Sequence, residues 1–523
     1  MKGGKASQDA SEYAYRLAAH MNLHVYVCRN RSSGQTSQCA VISLVRAFLT
    51  VILLALTACQ RAPNALDRLH PCKIDEGPSD AFCGQYNVFE NRAANTGRQI
   101  ALKIVVAPAL KRDPQSDPLF IFVGGPGGGA ATLANYELPL FHRFQVDRDI
   151  VLIDQRGTGG SNPLSCEPED RDEEDFSKVD NYPVERFRTC LAGLKADTRF
   201  YTTEAAVDDV DEVRRYLGYG LINLWGGSYG TRAALVYLKR HEDSVRSVVL
   251  DGVAPPDMRL GLFMARDGQR ALDLMIEDCA KDALCAKYYP RLRESAATLF
   301  AQTKAKPRVT ILHPRTGKRV EITVSERLVA FLVFSALYDP TLTSLLPQLI
   351  TDAAQGNYQG LLTLAFSSQL PKGAISEGLF LSVVCAEDMP QIQLEEIQRE
   401  TKGLFMGTAF FDTRMKPCEF WPRGTVSQDF YQPVVSTKPV MILSGLDDPI
   451  TPPIWGDRVA KFLPNSKHFV VPGAGHGSTP RGCVPELIAK FLDQASVKNL
   501  DSACLQSQHR PPFFVNYTGA GQP

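Results

Sequence analysis

One serine stands in a setting that chemistry can use. Gly226-Gly227-Ser228-Tyr229-Gly230 follows the apolar run 221–225 and precedes an amphipathic stretch reaching from Tyr229 to about Arg240. A G-x-S-x-G between a strand and a helix is a tight turn that exposes the serine hydroxyl at the carboxyl edge of a sheet. A hydroxyl is a weak nucleophile and needs a base. Beyond residue 60 the histidines are His70, His142, His241, His313, His468, His476 and His509. His476 lies in Gly473-Ala474-Gly475-His476-Gly477, a loop just after an apolar strand, and is the candidate base. His468 sits inside that strand pattern, and His241 reads as a surface residue after the elbow helix. The carboxylate that orients the base falls between serine and histidine in chain order for such a site. Leu446-Asp447-Asp448-Pro449 offers two, and spacing alone leaves Asp447 and Asp448 equal.

Attack on a carbonyl creates an oxyanion, which needs converging backbone donors. The N–H of Tyr229, directly after the serine, is one candidate. The second is assigned to Gly125, with Gly127 as the alternative, in the loop Gly124-Gly125-Pro126-Gly127-Gly128-Gly129. That loop lacks the G-K-[ST] of a phosphate-binding loop and the G-x-G-x-x-G that opens a dinucleotide-binding helix. Asp154 and Arg156, in Asp-Gln-Arg-Gly, read as a buried structural ion pair.

These residues need a scaffold. Apolar runs at 99–107, 118–123, 149–153, 221–225, 245–250, 438–444 and 466–471 are strand-like, and 205–218, 229–240 and 484–493 carry helical spacing. Strands alternating with helices predict an α/β domain whose mostly parallel sheet is covered on both faces. Between 256 and 435 the rhythm changes to helices, with one hairpin turning at Thr316-Gly317. The expected organisation is a leader at 1–58 and a polar surface extension at 59–98. A core at 99–255 and 436–505 is then interrupted by a mainly helical insertion at 256–435, and a C-terminal tail occupies 506–523.

Composition excludes several classes. Lys+Arg and Asp+Glu are equal at 57 each in 523 residues, so a broad basic field for nucleic acid is not expected. After residue 60 no run of 20 apolar residues marks a polytopic membrane protein. No Cys/His cluster has zinc-like spacing, and acyl transfer by a serine, a histidine and an aspartate implies neither metal nor organic cofactor. Residues 47–58, AFLTVILLALTA, follow Arg46 and have the form of an export signal, too short to span a bilayer comfortably. Leu56-Thr57-Ala58-Cys59 resembles a bacterial lipoprotein box. That resemblance implies cleavage before Cys59, acylation of Cys59 and anchoring at a membrane surface. Gln60 is not the Asp associated with inner-membrane retention, so an outer-membrane lipoprotein is expected. A non-lipidated signal peptide, or a membrane anchor with a short cytoplasmic tail, is the alternative. Export makes the ten cysteines beyond Cys59 disulfide candidates. The simplest connectivity joins sequence neighbours: Cys72–Cys83, Cys166–Cys190, Cys279–Cys285, Cys385–Cys418 and Cys483–Cys504.

Together the motifs resemble the α/β-hydrolase superfamily, and within it the proline iminopeptidase and tripeptidyl-aminopeptidase-like branch of serine peptidases. GGPGGG at 124–129, DQRGTGGS at 154–161, GGSYGTRAAL at 226–235, SGLDDPITPP at 444–453 and GAGHG at 473–477 carry the resemblance, with Val123 where the family's loop has His. It implies an α/β-hydrolase fold with an inserted helical cap at 256–435, and it selects Asp448 as the acid. It also implies aminopeptidase activity on peptides with a free N-terminus, with a carboxylesterase as the alternative. In that branch cap carboxylates bind the substrate ammonium. Val383-Val384-Cys385-Ala386-Glu387-Asp388 resembles such a segment, giving Glu387 as the candidate and Asp388 as the runner-up.

Overall fold

Short runs of Val, Ile, Leu and Phe that are apolar at every position have nowhere to go except the middle of a sheet covered on both faces. In the computed structural model they go there. The structure describes residues 25–27, 40–42, 65–74, 80–166, 184–366 and 373–520. It divides into Met1–Asn64 and Ala65–Pro523. In the first unit Val25–Val27 pairs antiparallel with Ala40–Ile42. The export run at 47–58 and Cys59 lie outside the described residues.

The second unit carries a nine-stranded sheet. Its strands are β1 His70–Lys73, β2 Asp80–Phe89, β3 Gln99–Ala107, β4 Leu119–Phe122, β5 Ile150–Ile153, β6 Ile222–Gly227, β7 Val245–Asp251, β8 Val440–Gly445 and β9 Ser466–Val471. The spatial order is β9-β8-β7-β6-β4-β5-β3-β2-β1. The six strands from β9 to β5 run parallel, and β3, β2 and β1 join antiparallel.

Alternate residues point to opposite faces. Val151, Ile153, Val440 and Ile442 enter one core, with Val207 and Val210 of α2 (Thr203–Leu217) and Leu235 of α3 (Tyr229–Arg240). Ile150, Leu152, Met441 and Leu443 enter the other, with Leu138 and Phe141 of α1 (Ala134–Gln145) and Phe491 of Val484–Gln494. Helix α2 begins where the Thr202 side chain accepts from Ala205 N–H and ends at left-handed Gly218.

Three features add detail to the expected organisation. First, β1 and β2 lie within the expected surface extension at 59–98. Beyond Cys83, β2 has a partner strand on one side only, so Gln85 and Asn87 face water and break the apolar run that a buried strand shows. Second, the insertion is not one body. Helices α4 (Met264–Lys281) and α5 (Glu326–Leu337) share a cap core of Leu272, Met275, Val329 and Val333. Helix α6 (Glu377–Glu387), apolar on all sides, instead buries Leu379, Leu381 and Val384 in the sheet's own core, beside Trp421. Third, the tail is a strap. Arg510 forms ion pairs with Asp278 of α4 at 2.8 Å and with Asp447 at 3.2 Å. Phe513 enters the cap core, Phe514 N–H donates to the Ser344 carbonyl at 3.0 Å, and the Tyr517 hydroxyl donates to Asp352.

All five disulfides join the expected neighbours. Cys385–Cys418 closes the longest separation, 33 residues, across the segment that returns to the sheet. Changing both cysteines to Ala is expected to lower stability by about 2–5 kcal/mol, read as a fall in the thermal unfolding midpoint; an unchanged midpoint would contradict this. Arg510→Ala strands the buried Asp447 carboxylate and is expected to destabilise by about 1–3 kcal/mol. Differential scanning calorimetry of both variants checks the two values.

Candidate active site

The turn after β6 places Ser228 at φ 55° and ψ −127°, a positive φ that a side-chain-bearing residue rarely adopts. The neighbours hold it there. Ser228 N–H donates to the Asp251 carbonyl at 2.9 Å, and the Ser228 carbonyl accepts from the Thr231 hydroxyl at 2.6 Å. Glycine is required on both sides. A Cβ on Gly226 would lie 2.4 Å from the Gly230 carbonyl oxygen, and one on Gly230 would lie 1.9 Å from that of Phe122. The helix therefore packs directly against the end of β4, and Ser228 is left half-buried at the carboxyl edge.

β6, β7, β8 and β9 are parallel neighbours, so their carboxyl ends share that edge. Asp448 follows β8 and His476 follows β9. His476 Nδ1 and Asp448 Oδ2 are 2.9 Å apart, with the carboxylate fully buried. Asp448 also accepts from Ile450 N–H at 2.9 Å, Thr451 N–H at 2.8 Å and the Thr451 hydroxyl at 2.7 Å. Burial raises this carboxyl, but His476 and the donors of Thr451 and Ile450 outweigh it and hold it below the ordinary range. For His476, burial opposes the charged form, while Asp448 and then Asp251 favour it more strongly and lift it above the ordinary imidazole value. With Nδ1–H given to the carboxylate, Nε2 is an acceptor, the form a general base requires. Asp447 turns away to Arg510, so the contact separates the two aspartates that spacing left equal.

The glycine loop closes over the serine. A Cβ on Gly124 would lie 3.4 Å from Ser228 Oγ, which puts Gly125 in the next position along the loop. Backbone beyond the cap helices clamps the loop: Ser376 N–H donates to the Gly127 carbonyl at 2.9 Å, and Gly128 bridges Ile375 antiparallel. Tyr229 begins α3, where an N–H has no acceptor within its own helix.

Glu387 and Asp388, expected to receive a substrate ammonium, are buried against a cation of the fold. Their side chains are 0% and 1% exposed and face Arg232 of the elbow helix, itself 0% exposed. Arg232 reaches Asp388 at 3.0 Å and Glu387 at 3.4 Å. Asp388 also accepts from Leu260 N–H at 2.8 Å, and Glu387 from Thr203 N–H at 2.7 Å and its hydroxyl at 2.8 Å. Burial pushes Glu387 up to about 7 despite the lowering by Arg232. Carboxylates this enclosed are matched within the fold. They support the elbow, since the Thr203 hydroxyl also lies 2.7 Å from that of Tyr229.

Asp154 and Arg156 are buried but not paired with each other. Asp154 accepts from Thr132 N–H and hydroxyl at 2.9 and 2.6 Å, whereas Arg156 grips Asp209 at 2.6 and 2.7 Å. His468 is locked between Asp457 at 2.8 Å and the Ser444 hydroxyl at 2.9 Å. His241 is half-buried against Asp208 at 2.9 Å rather than free at the surface.

Three residues of the site escaped sequence reasoning. Thr451 lies 2.7 Å from Asp448 and 3.1 Å from His476 Nδ1; an Asp followed three residues later by a hydroxyl is its only local signal. Asp251, at the end of β7, accepts from Ser478 N–H, Thr479 N–H and the Thr479 hydroxyl, at 2.7–2.9 Å, and so ties down the chain after His476. Tyr338 of the cap accepts the His476 N–H on its carbonyl at 2.9 Å. Among the described residues no three His, Cys, Asp or Glu side chains are grouped to hold a metal, and no helix is long and apolar enough to cross a membrane.

Over 506 residues the chain is 24% identical to the serine protease Hip1 of Mycobacterium tuberculosis (strain ATCC 25618 / H37Rv), covering 86% of this chain and 95% of that one. Over 141 residues it is 32% identical to the proline iminopeptidase of Neisseria gonorrhoeae, covering 27% and 34%. The solved esterase EaEST from Exiguobacterium antarcticum aligns with 76% of this chain and 95% of its own at a TM-score of 0.29 and 16% identity. The model describing the alpha/beta hydrolase fold matches residues 117–479. That span runs from just before β4, through the elbow and the acid loop, to just past His476, and the chain belongs to the alpha/beta hydrolase fold family.

Proposed function

We propose that this hydrolase is a serine aminopeptidase, releasing residues or short peptides from the free amino end of peptide substrates. The observation that carries the catalytic part is the pairing of buried Asp448 with His476 at 2.9 Å, on the same sheet edge as a strained, half-buried Ser228. In this reading His476 Nε2 takes the Ser228 proton as Oγ attacks the scissile carbonyl. Asp448 holds the imidazole and stabilises its charged form. The N–H groups of Tyr229 and Gly125 receive the oxyanion. His476 then returns the proton to the leaving amine, and water repeats the sequence to free the acyl-enzyme. No metal or organic cofactor enters these steps.

The similarity to a serine protease and to a proline iminopeptidase supports peptides as substrates. One observation favours a carboxylesterase as the second reading: Glu387 and Asp388 are consumed by Arg232 and leave no ammonium partner at the expected place. Five disulfides support export to an oxidising compartment, and the box at 56–59 supports acylation of Cys59 and attachment to the outer membrane. A nucleic-acid partner has no support in the balanced charge.

The deciding assay compares amino-terminal peptide amides, free and N-acetylated, with short-chain esters. The aminopeptidase reading expects cleavage of the free amides and loss on acetylation; equal cleavage of both forms removes it in favour of the esterase. Ser228→Ala is expected to lower kcat by about 10⁴–10⁶ on either substrate, and full activity in that variant would overturn the site itself. Only neutral His476 can accept a proton, and Asp448 and Asp251 lift its ionisation despite burial. Activity should therefore fall on acidification through a midpoint above about 6.5. Asp448→Asn should move that midpoint down and reduce kcat by about 10⁴, which a pH–rate profile of kcat/KM reads directly.

A further inference from the structure

His476 is held from two sides, and only one of them belongs to the sheet domain. At Nδ1 it meets Asp448. On its other flank stands Tyr338, the residue that ends α5 of the cap. The two rings are 5.1 Å apart between centroids and inclined at 71°, an edge-to-face contact. The Tyr338 carbonyl accepts the His476 N–H at 2.9 Å. Gly475 is pressed so closely on that carbonyl that a Cβ there would lie 2.4 Å from its oxygen.

Tyr338 is itself immobilised. Phe334, one turn earlier and buried in the cap core, packs edge-on against it at 5.4 Å and 77°. Its successor Asp339 caps the next helical turn by accepting from Thr341 N–H at 2.7 Å, and approaches Arg481 beyond the base loop at 3.6 Å. The cap thus grips the histidine loop at 475–476 and again at 481. The contacts at Nδ1, to Asp448 and Thr451, hold one edge of the imidazole and leave its far edge some freedom to swing. An aromatic wall removes this freedom, and a rotation that misaims Nε2 by an ångström is costly in rate.

We propose that Tyr338 is a positioning residue for His476, so that the cap supplies part of the mounting of the general base. Asp448 and Asp251 are the charged groups acting on the imidazole, and Asp448 and Arg414 those acting on the Tyr338 phenol. The ring and the carbonyl do the positioning; the hydroxyl is not required for it. The inference rests on His476 being the base.

The test uses the full chain with Tyr338→Leu, Tyr338→Phe and Ser228→Ala, assayed on the best substrate of the panel above across the pH range. Tyr338→Leu keeps the carbonyl and removes the ring. It is expected to lower kcat by about 10–100-fold with KM little changed, and to displace the acidic limb of kcat/KM. Tyr338→Phe restores the ring and is expected to recover most of the lost rate and the wild-type limb. A fluorophosphonate end-point titration counts competent serines, so that a smaller folded fraction is divided out before rates are compared. If Tyr338→Leu misfolds, Tyr338→Met provides the ring-less variant. Wild-type kcat and an unmoved limb in the ring-less variant would falsify the proposal, as would equal loss in Tyr338→Phe. Retained activity in Ser228→Ala would instead remove the triad reading, an outcome distinct from both.

Discussion

A side-chain-bearing residue at φ 55° costs on the order of 1–3 kcal/mol and persists only when its surroundings over-determine it. Around Ser228 they do. Two missing Cβ atoms let α3 press on the end of β4, the Asp251 carbonyl takes the serine N–H, and Thr231 takes its carbonyl. Beneath the helix, Arg232 is fastened by Glu387 and Asp388, and Thr203 links Glu387 to Tyr229. Two buried carboxylates around one guanidinium would be an expensive arrangement on their own. Here they anchor α6 to the helix that begins at the elbow. A segment lying between cap and sheet is thereby tied to the strained turn.

Parallel strands convert this local constraint into a site. Residues separated by more than two hundred positions in the chain are carried to one edge because β6, β8 and β9 end there. Asp251, at the end of β7 between them, spends its carbonyl on the nucleophile and its carboxylate on the loop after the base. One buried residue therefore sets the distance between two loops that must agree. The insertion contributes from the other side, through Ser376 at the start of α6 on the glycine loop and through Tyr338 of the cap on His476.

What was legible in the sequence follows from what each residue needs. Strands buried on both faces must be apolar, so β4, β5 and β8 stand out most clearly, while half-exposed β1 and β2 look like polar chain and the edge strand β9 is recognised only by its Phe469-Val470-Val471 end. The elbow's glycines are legible because sterics permits nothing else. The disulfides follow sequence neighbours because each closes a local excursion of the chain. The pairing of Glu387 and Asp388 with Arg232 was not legible because that partner lies about 155 residues away, and composition cannot reveal an encounter of that kind. Tyr338 carries no motif at all; its place beside His476 is produced by cap packing. Asp447 and Asp448 are neighbours with opposite fates, set by Arg510, a residue of the tail.

The strap formed by that tail bears on the order in which the molecule can be completed. During synthesis the elbow, the cap and the acid and base loops all emerge before Arg510 and Phe513. Until those residues arrive, Asp278 and Asp447 lack their shared cation and the cap core lacks a wall. Gly473, three residues before His476, likewise waits for the main chain of His509 and Arg510 to pack against it. A nascent chain halted just after His476 would hold every catalytic residue yet not the clasp between its two cores, so activity gained during chain growth should come at the end rather than in proportion to length.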